Sequence, residues 1–202
     1  ETGKIGMSLD GKIALSSGES QWITCEESRK DAHQLRARCS AIVTGRGTFV
    51  ADHPSLNARL TPELEAVHQP ARILLDPKGL CPQEGPFFEN PGKAHVLTLL
   101  NIRNQGERLD LHSVMDWLGQ MEFNEVLFEC GPTLNGALLE QNLIDEWVVY
   151  VAPKILGHQA KSAFALPDTQ PLADRPQLAI ESFRKIGTDL RITLKSGADS
   201  FV

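Results

Sequence analysis

The sequence lacks the features that would assign the protein to a membrane, to secretion or to nucleic acid. No apolar run approaches the roughly 20 residues of a membrane-spanning helix, and the first residues do not show the basic and then apolar order of a secretion signal. Positive charge is scarce as well, since 20 lysines and arginines stand against 26 acidic residues, a net charge of −6. Nucleic acid and anionic membranes attract clustered positive charge. We therefore expect a cytoplasmic protein with neither as its main partner.

Cysteine and histidine occur at spacings that favour neither a disulfide framework nor a metal site. The four cysteines lie far apart and form no C-x-x-C pair, so reduced thiols in a cytosol are the simpler interpretation. Most histidines also lack paired ligand spacing. We predict no bound metal. We interpret five histidines as surface or loop residues: His33, His68, His95, His112 and His158.

The chain is long enough for one well-filled core, with 202 residues of which 41% are hydrophobic. It contains no linker rich in proline, glycine or serine, no low-complexity run and no internal repeat. We predict a single domain over residues 1–202.

Strand-like and helix-like segments alternate along this domain. Short apolar runs between turn residues predict strands at Lys4–Ser8, Lys12–Leu15, Ala41–Thr44, Ile73–Leu75, Ala94–Leu100, Glu125–Glu129 and Trp147–Ala152. A capping box of Thr24 and Glu27, other start signals and helical spacing predict helices at 24–38, 48–52, 62–67, 114–121 and 134–142. Residues 178–186 and 190–195 predict a terminal antiparallel hairpin. The alternation indicates an α/β fold with a mixed, mostly parallel sheet flanked by helices.

Two glycine corners follow strands of this sheet and open helices. They are Gly45-Arg46-Gly47-Thr48 and Cys130-Gly131-Pro132-Thr133. Ligands of open α/β sheets bind beyond the carboxyl ends of the strands, where helix N-termini offer backbone amides to phosphate. Glycine is also common in the turns that follow strands, whatever the function, and neither corner is a G-x-G-x-x-G or P-loop motif. Two corners together would suit a dinucleotide.

Five blocks of sequence carry a more specific signal because they occur in order along the chain. They are Lys4 to Gly11, Ser17 to Ile23, Ala51-Asp52 with Pro54 and Arg59, Glu129 with Gly131 to Leu134, and Ala152 to Gly157. These blocks resemble the reductase half of the bifunctional riboflavin-biosynthesis deaminase/reductase family, over a match from Lys4 to about Lys195. The H-x-E and P-C-x-x-C signature of a zinc deaminase is absent. The short first strand suggests excision from a longer deaminase-reductase chain.

The resemblance implies a dihydrofolate-reductase-like fold, a homodimer and an oxidoreductase with NADPH as cofactor. The implied reaction is reduction of the small-molecule substrate 5-amino-6-(5-phosphoribosylamino)uracil to its ribitylamino product. Lys4, Asp52 and Glu129 match positions around the ribose and are the catalytic candidates. Lys4 or Asp52 would assist ring opening and protonation, and Glu129 would hold hydroxyls. The alternative is that Lys4 and Glu129 are ordinary strand-end surface charges.

The resemblance also implies binding residues. Substrate contacts are implied for Ser20, Arg36, Leu56 and Arg59, with the arginines suited to the phosphate, although Arg36 could be a solvated helix residue. Cofactor contacts are implied for Gly6, Trp22, Thr48, Asp52, Gly131, Pro132, Thr133, Leu134, Asn135, Gly136 and Ala137. Trp22 could instead belong to the core. Arg46 with Thr48 is our candidate for the 2′-phosphate.

Two departures from the family pattern concern affinity. His53 stands where the family commonly has a second aspartate, and Pro77 stands where a small hydroxyl residue often contacts the cofactor. We expect altered affinity with unchanged chemistry.

Two alternative functions remain open, one enzymatic and one non-catalytic. One is a dihydrofolate-reductase-like enzyme or a reductase of the still-aminated pyrimidine, and the other is a non-catalytic nucleotide-binding module. We expect one dinucleotide to bind at both glycine corners, with its reactive ring near Lys4, Asp52 and Glu129.

Overall fold

The computed structural model describes residues 1–60, 69–168 and 171–196 of the chain. Contacts divide the chain into two compact units, one of Glu1–Arg29 with Gly131–Val202 and the other of Lys30–Cys130. The helix predicted at 62–67 lies outside the described residues. In the part of the chain that is described, none of the helices has the length and apolar character needed to cross a membrane.

Each element predicted for the described residues is present, and the structure adds short elements that were not predicted at Pro86–Glu89, Asn104–Gln105, Arg108–Leu109 and Lys161–Ser162. The strands are β1 (Thr2–Ser8), β2 (Lys12–Ala14), β3 (Ala41–Gly45), β4 (Ala71–Leu75), β5 (Ala94–Leu97), β6 (Asn104–Gln105), β7 (Arg108–Leu109), β8 (Val126–Phe128), β9 (Glu146–Ala152), β10 (Lys161–Ser162), β11 (Leu178–Ile186) and β12 (Asp189–Ser196). The helices are α1 (Glu26–Arg38), α2 (Arg46–Asp52), α3 (Pro86–Glu89), α4 (Leu111–Gln120) and α5 (Pro132–Glu140), with a 3-10 turn at Leu172–Asp174.

The Lys30–Cys130 unit is built on parallel strands in the order β8-β3-β4-β5. The inner strands β3 and β4 are buried along almost their whole length, which explains their nearly continuous apolar sequences. Helix α2 contacts both of them. Apolar side chains from these strands, from α2 and from α3 meet in one core, which consists of Cys39, Ile42, Phe49, Leu56, Leu74, Cys81, Phe87 and Leu127.

A buried arginine organises the segment that follows α3. Arg72 on β4 is fully buried, and its guanidinium donates to the carbonyl oxygens of Phe87 at 2.6 Å, Pro91 and Asn90 at 2.7 Å, and Gly92 at 3.0 Å. Burial lowers the pKa of Arg72. The carbonyls replace water around the charge, so this arginine has a structural role.

The other unit holds strands in the order β11-β12-β9-β1. β1 runs parallel to β9, whereas β12 is antiparallel to both β9 and β11. Gly3 lies opposite the fully buried Trp147, and a Cβ at Gly3 would stand 2.3 Å from the indole ring. Glycine is therefore required where the tryptophan crosses β1. Four of the six strand pairs described for these two units are parallel, and the terminal hairpin is present, which confirms the predicted α/β fold class.

The start of α1 differs from the predicted capping box. The helix begins at Glu26, so Cys25, not Thr24, occupies the N-cap position. The carboxylate of Asp189, at the start of β12, accepts from the Cys25 amide at 2.8 Å and from the Ser28 hydroxyl at 2.7 Å. Burial opposes ionisation of Asp189, but these hydrogen bonds lower its pKa. A residue 164 positions away thus stabilises the helix start.

Candidate active site

Glu129 follows β8 directly, and the neighbouring strand β3 fixes its backbone. The Glu129 amide donates to the Val43 carbonyl at 3.0 Å, and the Thr44 hydroxyl donates to the Glu129 carbonyl at 2.8 Å. Parallel strands end at the same edge of a sheet, so Glu129 stands at the ligand-binding edge of this unit.

Arg36 on α1 forms a two-bond ion pair with Glu129. Its Nε donates to Oε1 at 2.6 Å and its Nη2 donates to Oε2 at 2.9 Å, while the two side chains are only 15% and 10% exposed. Burial acts to lower the pKa of Arg36, but the charge of Glu129 and its hydrogen bonds with Arg36 together raise that pKa. The pair therefore holds an ionised carboxylate in one orientation. This excludes the interpretations of Arg36 as a solvated helix residue and of Glu129 as a surface charge.

The thiol of the neighbouring Cys130 is kept in its protonated form, which is a weak nucleophile. Burial, and then the charge of Glu129, raises the pKa of Cys130. Its protonated Sγ donates to the Val43 carbonyl at 3.6 Å.

The loop after α2 is tied to α1 beside this pair. Arg36 Nη1 donates to the Asn57 carbonyl at 3.2 Å, and the Arg59 amide donates to His33 Nδ1 at 3.2 Å. Leu56 has a positive φ of 45°, and its side chain is buried in the core. Arg59 is exposed. His33, interpreted from the sequence as a surface or loop residue, is instead a partly buried helix residue.

The first glycine corner presents a basic side chain. Gly45 is the N-cap residue of α2 without a side-chain capping bond, and an added Cβ at Gly47 would meet no atom within 4 Å. Arg46 is about half exposed, at 52%, and its Nε lies 3.8 Å from the fully buried Asp76 carboxylate. Thr48 and Asp52 belong to the same helix, with Asp52 exposed at its last turn.

The second corner starts α5 in the other unit. Gly131 is its N-cap residue, no side chain caps it, and Pro132 occupies the first turn. Uncapped amides at a helix start are suitable donors for a phosphate. Further along α5, Asn135 donates to the Ala163 carbonyl at 3.1 Å, and a Cβ on Gly136 would approach the Ala165 carbonyl oxygen to 2.2 Å. These two residues therefore have a packing role within the chain.

Trp22 is an exposed residue of this second unit, not a core residue. Its side chain is 61% exposed, and the Arg29 guanidinium lies 4.4 Å from the ring centroid. The Trp22 carbonyl accepts from Lys154 Nζ at 2.6 Å. The cation–π contact with Arg29 therefore holds the exposed indole in place at the surface.

A family model described as RibD C-terminal domain matches residues 2–192. The chain belongs to this family. It is 38% identical over 214 residues to riboflavin biosynthesis protein RibD of Escherichia coli K12, covering 95% of this chain and 58% of that protein. It is 30% identical to the 5-amino-6-(5-phosphoribosylamino)uracil reductase of Buchnera aphidicola subsp. Acyrthosiphon pisum, covering 89% of this chain and 98% of that protein.

Solved RibD structures share the fold. Acinetobacter baumannii RibD, form 1, superposes with a TM-score of 0.85 at 33% identity, covering 96% of this chain and 57% of that chain. The family and the fold class implied by the sequence blocks are therefore confirmed. This RibD-family chain spans little more than half the length of RibD from E. coli, at 58%. The family match runs through both compact units, and the one-domain assignment stays a prediction.

The RibD-family chain brings together only some of the predicted site residues within a unit. Arg36 meets Glu129, and the loop of Leu56 and Arg59 is bonded to the same helix. Lys4, Gly6, Ser20, Trp22 and the run from Gly131 to Ala137 belong to the other unit. The shared dinucleotide site stays a prediction.

Sequence reasoning missed two side chains of these surroundings, His33 and Arg29, and the backbone carbonyl of Asn57. Helical spacing places His33 three residues before Arg36, and this shared face was the available signal. Nothing in the sequence indicated that Arg29 would stack on Trp22. In the described ranges 1–60, 69–168 and 171–196, we find no cluster of three or more histidine, cysteine, aspartate or glutamate side chains suited to a metal.

Proposed function

We propose that this chain is an NADPH-dependent reductase that converts the ribosyl group of 5-amino-6-(5-phosphoribosylamino)uracil into a ribityl chain. The observation that carries the proposal is the buried Arg36–Glu129 pair at the carboxyl end of β8, in a chain of the RibD family. Arg36 holds the ionised Glu129 carboxylate in one orientation, and an ionised carboxylate forms strong charge-assisted hydrogen bonds with hydroxyl groups. Glu129 therefore suits the hydroxyls of an opened sugar.

The remaining residues divide between proton transfer and substrate binding. We assign Lys4 or Asp52 to ring opening and protonation, since both are ionisable groups at family-matched positions. Arg59, exposed on a loop whose backbone is fixed, suits the phosphate, with Ser20 and the Leu56 backbone as further contacts. The four cysteine thiols suit a reducing cytoplasm.

A reductase of this family implies a nicotinamide cofactor, and we assign NADPH. The uncapped start of α5, with the amides of Thr133 and Leu134, fits a cofactor phosphate. In the same unit, the exposed Trp22 and the β1 residue Gly6 are further candidate cofactor contacts. In the other unit, the candidate cofactor contacts are Arg46, Thr48 and Asp52. When bound, the cofactor supplies hydride. Arg46, oriented by Asp76, would select the 2′-phosphate.

The test follows NADPH absorbance at 340 nm with the deaminated substrate, the aminated pyrimidine and dihydrofolate in parallel. We expect turnover with the deaminated substrate alone, and a loss of about 100-fold in kcat/KM for Glu129→Gln, in which charge-assisted bonds become neutral ones. Glu84→Gln, a change at an exposed glutamate, is the matched control. Turnover of the aminated pyrimidine or of dihydrofolate would replace the substrate assignment. NADPH binding without any turnover would favour a nucleotide-binding module.

We further propose that the chain forms a homodimer through β11. Most of this strand is exposed, including Ile180 at 66% and Phe183 at 71%. Among the described strands, β11 pairs with β12 alone. An exposed strand edge that carries large apolar side chains supports association with a second copy.

A further inference from the structure

His33 connects α1 to two backbone groups of the loop that carries Arg59. Its Nδ1 lies 3.2 Å from the Asn57 carbonyl oxygen and 3.2 Å from the Arg59 amide nitrogen. A single ring nitrogen cannot accept from the amide and donate to the carbonyl at once. One of the two contacts must therefore be the hydrogen bond.

The surrounding bonds decide which one it is. The Asn57 carbonyl already accepts from Arg36 Nη1 at 3.2 Å. An imidazole protonated on Nε2 then accepts from the Arg59 amide through Nδ1, and both backbone groups are satisfied. Burial, followed by the charges of Arg36 and Arg59, lowers the pKa of His33 to about 4, although Asn57 and Glu129 act in the opposite direction. The ring is neutral at physiological pH.

The loop around this bond is fixed at consecutive residues. The Gln69 side chain accepts from the Ala58 amide at 3.0 Å and donates to the Ala58 carbonyl at 2.9 Å. Leu56 anchors the loop in the core. The Arg59 side chain is exposed while its backbone amide is hydrogen-bonded. The side chain therefore extends from a fixed backbone position.

We propose that His33 is a positioning residue that orients Arg59 toward the anionic phosphate of the substrate. This role rests on the proposed function for its biological meaning. In physical terms, the acceptor at position 33 sets the affinity of the Arg59 loop for a phosphate group.

The test compares His33→Phe, which removes the acceptor at similar size, with His33→Gln, which keeps an acceptor. Loss of one backbone hydrogen bond should raise the KM of the phosphorylated substrate about fivefold in His33→Phe, with kcat within about twofold. His33→Gln should restore most of the KM. In an Arg59→Ala background, His33→Phe should have no further effect. His112→Phe, at an exposed position of α4, is the matched control.

A second readout does not depend on turnover. Inorganic phosphate binding, measured by calorimetry, should weaken about fivefold in His33→Phe and by more in Arg59→Ala, and amide exchange of residues 57–60 should accelerate in His33→Phe. Unchanged phosphate affinity, or a fall in kcat at constant KM, would overturn the role of His33. A wild-type chain that binds phosphate through Arg59 and does not oxidise NADPH would refute the proposed function and leave the His33 inference standing.

Discussion

The Arg36–Glu129 pair makes the strongest prediction at the scale of single residues. Both side chains are largely buried, so replacing Arg36 removes the ion pair from a buried carboxylate, which is costly. We expect Arg36→Met to reduce the free energy of unfolding by about 3 kcal/mol, measured by urea denaturation. Changing both residues to methionine should cost less than the sum of the two single changes.

Arg38→Met supplies the control on the same helix. Arg38 is exposed, so its loss should change stability by no more than about 0.5 kcal/mol. Equal effects of the Arg36 and Arg38 substitutions would show that the pair contributes nothing beyond helix propensity. Additive single and double substitutions would show that the two charges are not coupled.

At the scale of elements, the bond between the terminal hairpin and the start of α1 predicts a pH dependence. Asp189 accepts from Cys25 and Ser28, so Asp189→Asn should destabilise the chain by about 1 kcal/mol at neutral pH. The pKa of Asp189 is lowered in the folded state, so its contribution is full above the ordinary value of 3.8. The contribution is lost as the pH falls through the lower folded value.

Thermal unfolding of wild type and Asp189→Asn across this range measures the effect. The difference in Tm should be largest near pH 6 and should shrink steadily below pH 4. Asp168→Asn, at an exposed carboxylate, is the control. A Tm difference that stays constant down to pH 2 would contradict a role for the ionised carboxylate.

The same elements show which parts of the fold can be predicted from the sequence. Buried parallel strands such as β3 and β4 and the terminal hairpin were predictable, because apolar runs and turn residues are local signals. The cap at Cys25 was not, since Asp189 is 164 residues away. Arg36 was identified as a site residue, but its partner Glu129, 93 residues distant, is set by the topology of the sheet. Local sequence specifies residue types, and tertiary pairing specifies their partners.

At the scale of the whole molecule, β11 predicts the oligomeric state. Association should bury the apolar side chains of this strand, so the wild type should sediment with twice the 22.2 kDa mass of one chain. Phe183→Asp introduces a charge where the side chain is 71% exposed in a single chain, and desolvation of that charge would oppose association. We expect monomers of normal Tm.

Leu100→Asp is the control that separates an effect at the β11 edge from a general effect of a new surface charge. Leu100 is more exposed still, at 98%, but it belongs to a turn and not to an open strand. The same charge there should leave the dimer intact, because a turn offers no row of backbone donors and acceptors to a second strand. Dissociation by both substitutions would indicate general charge repulsion, and a Phe183→Asp chain that remained dimeric would move the interface away from β11. We therefore expect the open strand edge, and not exposed apolar area alone, to define the interface.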